Sequence, residues 1–391
     1  MTEAGVSTAT IEGAGEDQRP WAVICGGGTA GHVVPAIAIA RALVARGHPP
    51  ASIHFIGSDR GLERRLVPEA GFGVTLLPGR GIERRLSMRN LQAVAGLAAA
   101  AVKGVRLVAK RRPAVVVSVG GYASLPGVAA AAVLRVPLVV VEQNAAPGAA
   151  NRLAARVAQA AAVSFPRTPL PRAIVTGNPV RPEVLAVDRS QVGKTAARRA
   201  LGVPDDATMV VATGGSLGAR TINNATLGLV QRWQTRHDWA VYHVVGTRDW
   251  EAVSAARPDL PADSVWYRQV RYEDRMDLVY AAADMAVCRA GATTVSELAV
   301  VGLPAVLVPL PGAPSDHQTA NARALVDAGA ARLVADAEAS PERLAAELDA
   351  MADPETRSAM SQAAATVARR QAADDVAALV ERASAGGRAR R

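Results

Sequence analysis

Short runs of apolar residues alternate along this chain with segments whose apolar residues recur at every third or fourth position. The runs, rich in Val and Ile, predict buried strands, and the periodic segments predict helices between them. Strands joined by helices are typical of a parallel sheet that is covered on both faces. In the first half, the predicted strands are 21–25, 52–56, 73–77, 114–119 and 137–141, and the predicted helices are 34–46, 61–70 and 125–134.

A proline-rich segment at 165–184 separates two halves that repeat this pattern. Its proline density disfavours regular structure and is typical of a domain boundary. The chain of 391 residues is long enough for two domains of ordinary size, so we predict an α/β protein with two Rossmann-like, parallel-sheet domains. In the second half, the predicted strands are 209–212, 240–245, 264–267, 285–288, 305–308 and 331–334, and the predicted helices are 220–233, 276–282, 294–301, 318–328 and the segment 341–384.

Three predicted strands run directly into a glycine turn and then a helix, at 22–32, 115–126 and 209–220. Glycine lets backbone N–H groups approach a ligand closely, and the N-terminus of the following helix carries partial positive charge. The first and third turns belong to different predicted domains. We therefore expect two domains that face each other across a cleft and present these turns to anionic groups.

The composition limits the partners that such turns could serve. The net charge is +9, and aromatic residues make up only 3% of the chain. Nucleic-acid modules usually combine basic patches with aromatic platforms, so phosphorylated ligands and an anionic membrane surface are favoured over nucleic acid. The two cysteines, Cys25 and Cys288, have neither a metal-site spacing nor a disulfide framework, which predicts buried thiols in a reducing compartment.

The segment 79–113 concentrates basic residues at its two ends around an apolar middle. It predicts either a solvated helix exterior or a surface that meets anionic lipid head groups. No apolar stretch reaches the roughly 18 to 20 residues that span a bilayer, and the polar residues 1–20 are typical of a disordered leader. The basic residues of the segment are Arg80, Arg84, Arg85, Arg89, Lys103, Arg106, Lys110, Arg111 and Arg112.

Two nucleotide-binding patterns are weak when tested. Residues 26–31 satisfy G-x-G-x-x-G, but a dinucleotide site needs an acidic residue at the end of the second strand. The stretch 51–57 contains none, and Asp59 comes late. Gly193-Lys194-Thr195 matches the end of a phosphate-binding P-loop, but Asp188 stands where that loop requires glycine.

Other residues near the turns have two interpretations each. His32 begins a helix, where it either caps and packs or acts as a neutral base, since a positive helix end lowers the pKa of an imidazole. Thr294 and Glu297 form a capping box, or Glu297 binds two vicinal ribose hydroxyls next to a phosphate loop. Asp316 is a candidate N-cap. Gln318 and Asn321 predict either a shared amide face that contacts sugar hydroxyls or a solvated surface.

In combination, these motifs resemble the MurG family of glycosyltransferases, which add N-acetylglucosamine (GlcNAc) to undecaprenyl-pyrophosphoryl-MurNAc-pentapeptide, called lipid I, to make lipid II. The resemblance covers nearly all of the chain from about Trp21. The matching motifs are GGGTAGHVVPA (26–36), SVGGYASLP (118–126), EQN (142–144), GNPVR (177–181), GGSLGAR (214–220), DRMDLVYAAAD (274–284), CRAGATTVSEL (288–298) and DHQTANA (316–322).

The resemblance implies the GT-B fold and a division into parts. A leader (1–20) precedes an N-terminal acceptor domain (21–177), a C-terminal domain (178–365) binds UDP-GlcNAc, a helix (366–384) packs back on the first domain, and 385–391 is a tail. The implied donor-binding residues are Thr29, Ala30, Gly31, Asn144, Arg181, Ser216, Glu273, Ala292, Thr293, Thr294, Val295, Ser296, Glu297 and Gln318. The implied acceptor-binding residues are Gly28, Gly31, Gly120, Gly121 and Tyr122, and Thr29, Ala30 and His32 also belong to that side.

The expected reaction is an inverting transfer in which the C4 hydroxyl of MurNAc attacks the anomeric carbon of GlcNAc and UDP leaves. His32 is the first candidate for the catalytic base, with Asn144 and Glu142 as further candidates. No cofactor or bound metal ion is expected, because helix N-termini supply the donors for the leaving diphosphate. The expected location is the cytoplasmic face of the cell membrane, where cell-wall and division proteins are further partners.

Three other functions fit parts of the sequence. A related glycosyltransferase would use a glycolipid or natural-product acceptor, although the basic segment argues against a soluble acceptor. A UDP-GlcNAc epimerase would need acidic acid/base residues that the motifs do not supply. A nucleotide-sugar sensor at the membrane would bind UDP-GlcNAc without releasing UDP. Two positions also depart from the commonest family motifs, since Ala30 replaces a glycine and Leu217 replaces a glutamine.

Overall fold

A computed structural model describes residues 10–11, 20–78, 88–261 and 263–388. The chain divides into two compact units. Unit 1 comprises Met1–Val180 and Gln371–Arg391, and unit 2 comprises Arg181–Arg370. The leader predicted at 1–20 and the basic residues Arg80, Arg84 and Arg85 lie outside the described residues, apart from the backbone of Thr10–Ile11 and Pro20.

Unit 1 is built on one sheet in which strands of Val, Ile and Ala alternate with helices. The sheet order is β1-β4-β3-β2-β5-β6-β7-β8, and all neighbours are parallel except β1, which pairs antiparallel with β4. Its strands are β1 (Thr10–Ile11), β2 (Ala22–Cys25), β3 (Ile53–Ser58), β4 (Gly73–Leu77), β5 (Val115–Ser118), β6 (Leu138–Glu142), β7 (Ala160–Val163) and β8 (Ala173–Val175). Its helices are α1 (Ala30–Ala45), α2 (Glu63–Glu69), α3 (Met88–Arg111), α4 (Leu125–Leu134), α5 (Ala149–Ala154) and the C-terminal α15 (Ala372–Arg388).

Unit 2 repeats this architecture with a fully parallel sheet of order β11-β10-β9-β12-β13-β14. Its strands are β9 (Thr208–Thr213), β10 (Trp239–Val244), β11 (Trp266–Val270), β12 (Met285–Cys288), β13 (Ala305–Leu307) and β14 (Ala331–Leu333). Its helices are α6 (Pro182–Leu185), α7 (Gln191–Leu201), α8 (Arg220–Arg232), α9 (Trp250–Ala255), α10 (Met276–Ala282), α11 (Ala292–Val301), α12 (His317–Val326), α13 (Pro341–Asp349) and α14 (Pro354–Val367).

The central strands of each sheet are buried on both faces, as the continuous apolar runs predicted, whereas the edge strand β8 is exposed. In unit 1, one face packs against α1 and α15 and the other against α3 and α4, through two clusters made mainly of Val, Ala, Ile and Leu. Unit 2 has its own core, in which Trp233 and Trp239 pack beside Ile222 and Leu229. The predicted fold class, two Rossmann-like parallel-sheet domains, is confirmed.

The sequence prediction missed elements in the connecting regions. The proline-rich segment 165–184 contains the edge strand β8 and the short helix α6. The Gly193-Lys194-Thr195 sequence lies inside α7, where Lys194 and Arg198 form ion pairs with Asp284. It is therefore part of a helix that is tied to the sheet, in agreement with the rejection of a P-loop there.

The returning helix is shorter at its start and longer at its end than predicted. Residues 354–367 form α14, and Ala368 is extended, so the helix predicted at 366–384 begins at Ala372 and runs to Arg388, into the predicted tail. Its apolar face packs against α1 and the sheet of unit 1. At the end of α1, Arg46 donates to both Asp374 and Glu381, and His48 contacts Glu381 at 3.0 Å.

Candidate active site

The first two glycine turns pack against each other at the carboxyl ends of β2 and β5. A Cβ atom on Gly26 would lie 2.7 Å from the carbonyl oxygen of Gly120, and one on Gly121 would lie 2.8 Å from that of Gly27. These glycines are therefore required for close packing between the two turns. Gly28 differs, because the nearest atom to its Cβ position is Tyr122 Cε1 at 3.6 Å.

His32 lies on the first turn of α1, beside the second glycine turn. Its Nδ1 is 3.1 Å from the hydroxyl of Thr29, and its ring carbons lie within 3.3–3.8 Å of the Cβ positions of Gly120 and Gly121. Side chains at those two positions would crowd the imidazole. When Nδ1 donates to Thr29, Nε2 is the unprotonated ring atom that can accept a proton.

Glu142 and Asn144 follow β6, and the structure gives them different roles. Glu142 is 2% exposed and its carboxylate accepts hydrogen bonds from Asn144, Gly148 and Asn151. These bonds come from two backbone N–H groups and two side-chain amides, so the carboxylate is occupied in holding the loop. This geometry suits a positioning residue better than the base for which Glu142 was a candidate. Asn144 is partly exposed.

Tyr122 connects the second glycine turn to the end of β3. Its hydroxyl donates to Ser58 Oγ at 3.1 Å. A small cavity beside it is lined largely by apolar groups, including Leu77, Ala100 and Pro126. The ring therefore lies beside Gly28, and its hydroxyl is held at the end of β3.

An acidic residue that the sequence interpretation did not select lies under the first turn. Glu63, the first residue of α2, is 1% exposed. Its Oε2 accepts from the N–H of Gly28 at 2.9 Å, and its Oε1 accepts from the N–H of Ser58 at 2.6 Å. It comes 35 residues after Gly28 in the chain, beyond the positions where a dinucleotide site has its acid.

In unit 2, the third glycine turn follows β9. Gly214, Gly218 and Gly246 have no room for a Cβ, since each position would lie 2.1–2.3 Å from neighbouring backbone atoms. Gly215 has positive φ and nothing within 4 Å of its Cβ position, and Ser216 beside it is exposed. Gly215 and Ser216 are therefore the part of this turn that a ligand can approach.

The loop after β12 leads into α11, whose N-cap is Gly291 and whose first residues are Ala292, Thr293 and Thr294. The predicted capping box is wrong, because the helix begins two residues before Thr294 and the carboxylate of Glu297 bonds elsewhere. No acidic residue lies in the first turn of α11. The N–H groups of residues 292–294 lie in the first turn of the helix, before its backbone hydrogen bonds begin. They are therefore suited to binding an anion.

Glu297 is 5% exposed and lies one turn further along α11. Its Oε1 accepts from Arg181 at 3.1 and 3.2 Å, and its Oε2 accepts from the hydroxyl of Tyr280 at 3.0 Å. Burial is the largest single influence on the pKa of Arg181 and lowers it, but the combined effect of Glu297, Tyr280 and Glu183 gives a net rise of that pKa. Burial, and then the Glu297 charge, raise the pKa of Tyr280 well above its usual value and that of Cys288 to about 12.

The start of α12 does not form the predicted amide face. Asn321 is 0% exposed, and its Nδ2 donates to the carbonyl of Ala290, which ties α12 to the loop before α11. Gln318 is partly exposed, and its Oε1 accepts from the N–H of Leu310. Asp316 precedes the helix with positive φ and makes no N-cap hydrogen bond through its side chain, although its carboxylate accepts from the hydroxyl of Thr319.

Glu273 lies after β11 and fixes a loop. Its Oε2 accepts from the hydroxyl of Tyr242 at 2.6 Å, and its Oε1 accepts from the N–H of Arg275. Burial, then the bond to Glu273, raise the pKa of Tyr242. The side chain of Glu273 is thus engaged within unit 2.

The described residues contain no group of three or more His, Cys, Asp or Glu side chains that could hold a metal ion. None of the helices described is both long enough and apolar enough to span a bilayer. Cys25 and Cys288 are free and buried, as predicted.

Comparison with known proteins identifies close relatives. Residues 22–163 match the glycosyltransferase family 28 N-terminal domain, and residues 209–376 match the C-terminal domain of that family. The UDP-N-acetylglucosamine–N-acetylmuramyl-(pentapeptide) pyrophosphoryl-undecaprenol N-acetylglucosamine transferase of Desulforudis audaxviator is 38% identical over 335 residues, 83% of this chain and 87% of that protein. The protein of the same name from Nocardioides sp. is 44% identical over 317 residues, 81% of this chain and 85% of that protein.

A solved structure agrees with these relatives. The crystal structure of Acinetobacter baumannii MurG matches this chain with a TM-score of 0.72 and 29% sequence identity. The match covers 92% of this chain and 98% of that chain.

Proposed function

The chain belongs to the MurG family within glycosyltransferase family 28, and we propose that the residues of unit 2 described above bind the donor while those of unit 1 bind and activate the acceptor. The enzyme transfers GlcNAc from UDP-GlcNAc to lipid I in peptidoglycan synthesis. Its membership rests on relatives that match most of the chain at 38–44% identity.

The proposed donor site depends mainly on helix α11, which carries one kind of group for the diphosphate and another for the ribose. The open N–H groups at the start of α11 suit the diphosphate, and Glu297 suits the ribose hydroxyls. Thr293 and Glu297 are four residues apart, so they lie on one face with a rise of about 6 Å between them. That spacing is suited to a nucleoside diphosphate. Gly215 and Ser216 add a second approachable turn, and Gln318 and the backbone at Glu273 are assigned to the sugar and the uracil.

Glu297 would exchange partners when the donor binds. Both of its oxygens are engaged, one by Arg181 and one by Tyr280. A carboxylate has about four acceptor positions, so ribose hydroxyls can bind while Tyr280 stays. Release of Arg181 from Oε1 would make its guanidinium available to the diphosphate.

The transfer step is an inverting displacement. The C4 hydroxyl of MurNAc attacks the anomeric carbon, the bond to the UDP oxygen breaks, and the hydroxyl proton passes to Nε2 of His32. Thr29 holds the opposite ring nitrogen, and the Gly120–Gly121 turn supports the ring. The charge that develops on UDP is stabilised by the fixed N–H groups of α11 and of the turn at Ser216, which is the type of contribution that dominates many enzymes.

We place the enzyme at the cytoplasmic surface of the cell membrane through basic residues of unit 1, with lipid I as the membrane-bound substrate and cell-wall and division proteins as further partners. Transfer would need no cofactor and no divalent ion as a bound ligand, because amide donors supply the charge stabilisation.

An acceptor panel with labelled UDP-GlcNAc tests the activity. Lipid I is compared with glycolipids and with polyprenyl phosphates that lack MurNAc, and both labelled product and released UDP are measured. We expect product only with acceptors that carry MurNAc on a pyrophosphate. Equal transfer to unrelated hydroxylated lipids, or UDP binding without release, would contradict the proposal.

A further inference from the structure

The carboxylate of Glu63 is enclosed by glycines. A Cβ atom on Gly27 would lie 2.4 Å from Glu63 Cδ, one on Gly57 would lie 2.3 Å from Cγ, and one on Gly61 would lie 2.1 Å from Oε2. None of these contacts leaves room for a methyl group, and each would meet the carboxylate or the carbon beside it. At all three positions, which belong to two separate segments, a larger residue would therefore clash with the side chain of Glu63.

This arrangement distinguishes the first glycine turn from a phosphate-binding turn. A glycine turn at the end of a strand commonly points its N–H groups at a bound phosphate. Here the N–H of Gly28 points at Glu63, and that of Gly26 donates to Ile56. The protein's own carboxylate thus fills the position beneath the turn, and an incoming anion meets instead the start of α1 at Ala30 and Gly31.

Glu63 is also connected to the residues around that start. Its Oε1 accepts from the N–H of Ser58, and the hydroxyl of Ser58 accepts from Tyr122. On the other side, Gly27 lies between Glu63 and Gly121, whose turn supports His32. One buried side chain thus fixes the first turn directly and contacts the second turn and Tyr122 through one intermediate residue each.

We propose that Glu63 is a positioning residue for the acceptor: it holds the first glycine turn and Ser58 in the arrangement that presents the start of α1, His32 and Tyr122 to lipid I. This inference rests on the proposed function of unit 1. Two N–H groups are held by one carboxylate, and hydrogen bonds to a charged group are stronger than neutral ones. A glutamine cannot replace it, because its single carbonyl oxygen accepts where one N–H points and its NH₂ group faces the other.

The test is Glu63→Gln compared with Glu69→Gln on the same helix. Glu69 is exposed and pairs only with Arg65 among the contacts described, so its substitution removes the same charge without touching the turn. We expect Glu63→Gln to raise the KM for lipid I by about tenfold or more, and to leave the KM for UDP-GlcNAc within about twofold. A smaller fraction of folded protein would lower the apparent kcat and leave the KM for lipid I unchanged. An unchanged KM for lipid I in variant protein that is folded would therefore overturn the proposal.

Two further measurements decide the matter if Glu63→Gln folds poorly. Ser58→Ala keeps the backbone N–H bond to Glu63 and removes the hydroxyl that holds Tyr122, so it should raise the lipid I KM by a smaller factor. Amide hydrogen exchange of the segment 22–33 in the wild-type enzyme should show slow exchange at Gly28 without substrate. An unchanged KM in Ser58→Ala, or exchange at Gly28 as fast as in an unstructured peptide, would overturn the inference.

Failure of the proposed function would look different. If the wild-type enzyme transfers no GlcNAc to lipid I, the acceptor assignment fails. The exchange rate of the Gly28 amide would still report whether Glu63 holds the turn, because that measurement uses no substrate.

Discussion

Near the turns that a ligand can approach, individual side chains are held by hydrogen-bond partners that the sequence pattern does not reveal. Tyr280 lies at a helical position among apolar neighbours, which predicts a core residue, and it is 3% exposed. Its hydroxyl nevertheless donates to Glu297, on another helix. Contacts of this kind depend on tertiary packing, so sequence reasoning selected Glu297 from its motif and missed both Tyr280 and Glu63.

Tyr280→Phe tests whether this hydroxyl orients Glu297 for the ribose. The substitution keeps the ring and removes one hydrogen bond to a carboxylate, a contribution of about 1.5–3 kcal/mol. We expect UDP to bind roughly tenfold more weakly or worse in calorimetric titrations. The affinity ratio of UDP to 2′-deoxy-UDP should fall as well.

A purely structural role for Tyr280 would weaken both nucleotides equally and leave that ratio unchanged. Glu297→Gln provides the reference, since it should reduce the same ratio further. Preserved discrimination in Tyr280→Phe would separate Tyr280 from ribose binding.

His32→Ala tests the assignment of the base. Removal of a general base typically costs about 10²–10⁴-fold in rate. Because the imidazole lies in unit 1, the affinity for UDP-GlcNAc should change far less than kcat. Unchanged turnover would remove His32 from the mechanism.

At the scale of helices and strands, the apolar pattern predicted most of what positions the site. The predicted helices 125–134 and 276–282 have the observed bounds, and the strand 285–288 does as well. The strand predicted at 264–267 is observed at Trp266–Val270. Helix α7 of the connecting regions was missed because its basic residues interrupt the apolar pattern and its buried face is narrow, consisting of Ala197, Arg198 and Leu201.

The C-terminal helix α15 gives an element-scale prediction. Leu379 is 4% exposed in the core of unit 1, whereas Glu381 pairs with Arg46 and His48 near the surface. Leu379→Ala should lower the free energy of unfolding of unit 1 by about 2–5 kcal/mol in urea denaturation. Glu381→Gln should have a small effect at neutral pH, since partly exposed pairs contribute little.

The effect of pH separates the two variants further. The bond to Arg46, opposed by burial, gives a net lowering of the pKa of Glu381, so its contribution to stability is present above the pKa of the unfolded chain. That contribution is lost as the pH falls through the lowered pKa. Glu381→Gln should therefore lose less stability than the wild-type enzyme between neutral and acidic pH, and Leu379→Ala should follow the wild-type slope. Identical slopes for all three proteins would contradict the assignment.

At the scale of the whole molecule, the doubled pattern predicted two domains, and the basic segment 79–113 predicted either a solvated helix exterior or a surface that meets anionic lipid head groups. The net charge is +9, and the described part of the basic segment, 88–113, contains the whole of α3. Lys103, Arg106 and Lys110 lie on this helix with partly or fully exposed side chains. Juxtamembrane cations contribute about 1 kcal/mol each at an anionic surface.

Replacement of these three residues by Gln should therefore weaken binding to phosphatidylglycerol-rich vesicles by roughly 100-fold in sedimentation assays at low salt. Added salt should narrow the difference, because screening at about 0.1 M ionic strength acts over about 10 Å. The matched control replaces Arg199, Arg232 and Arg323 of unit 2, which are exposed, with Gln. It removes the same charge, so an equal loss of vesicle binding would show a net-charge effect and would contradict a membrane surface on α3. Calorimetric titration of UDP should give the same affinity for both triple variants, since neither set of residues belongs to the proposed donor site.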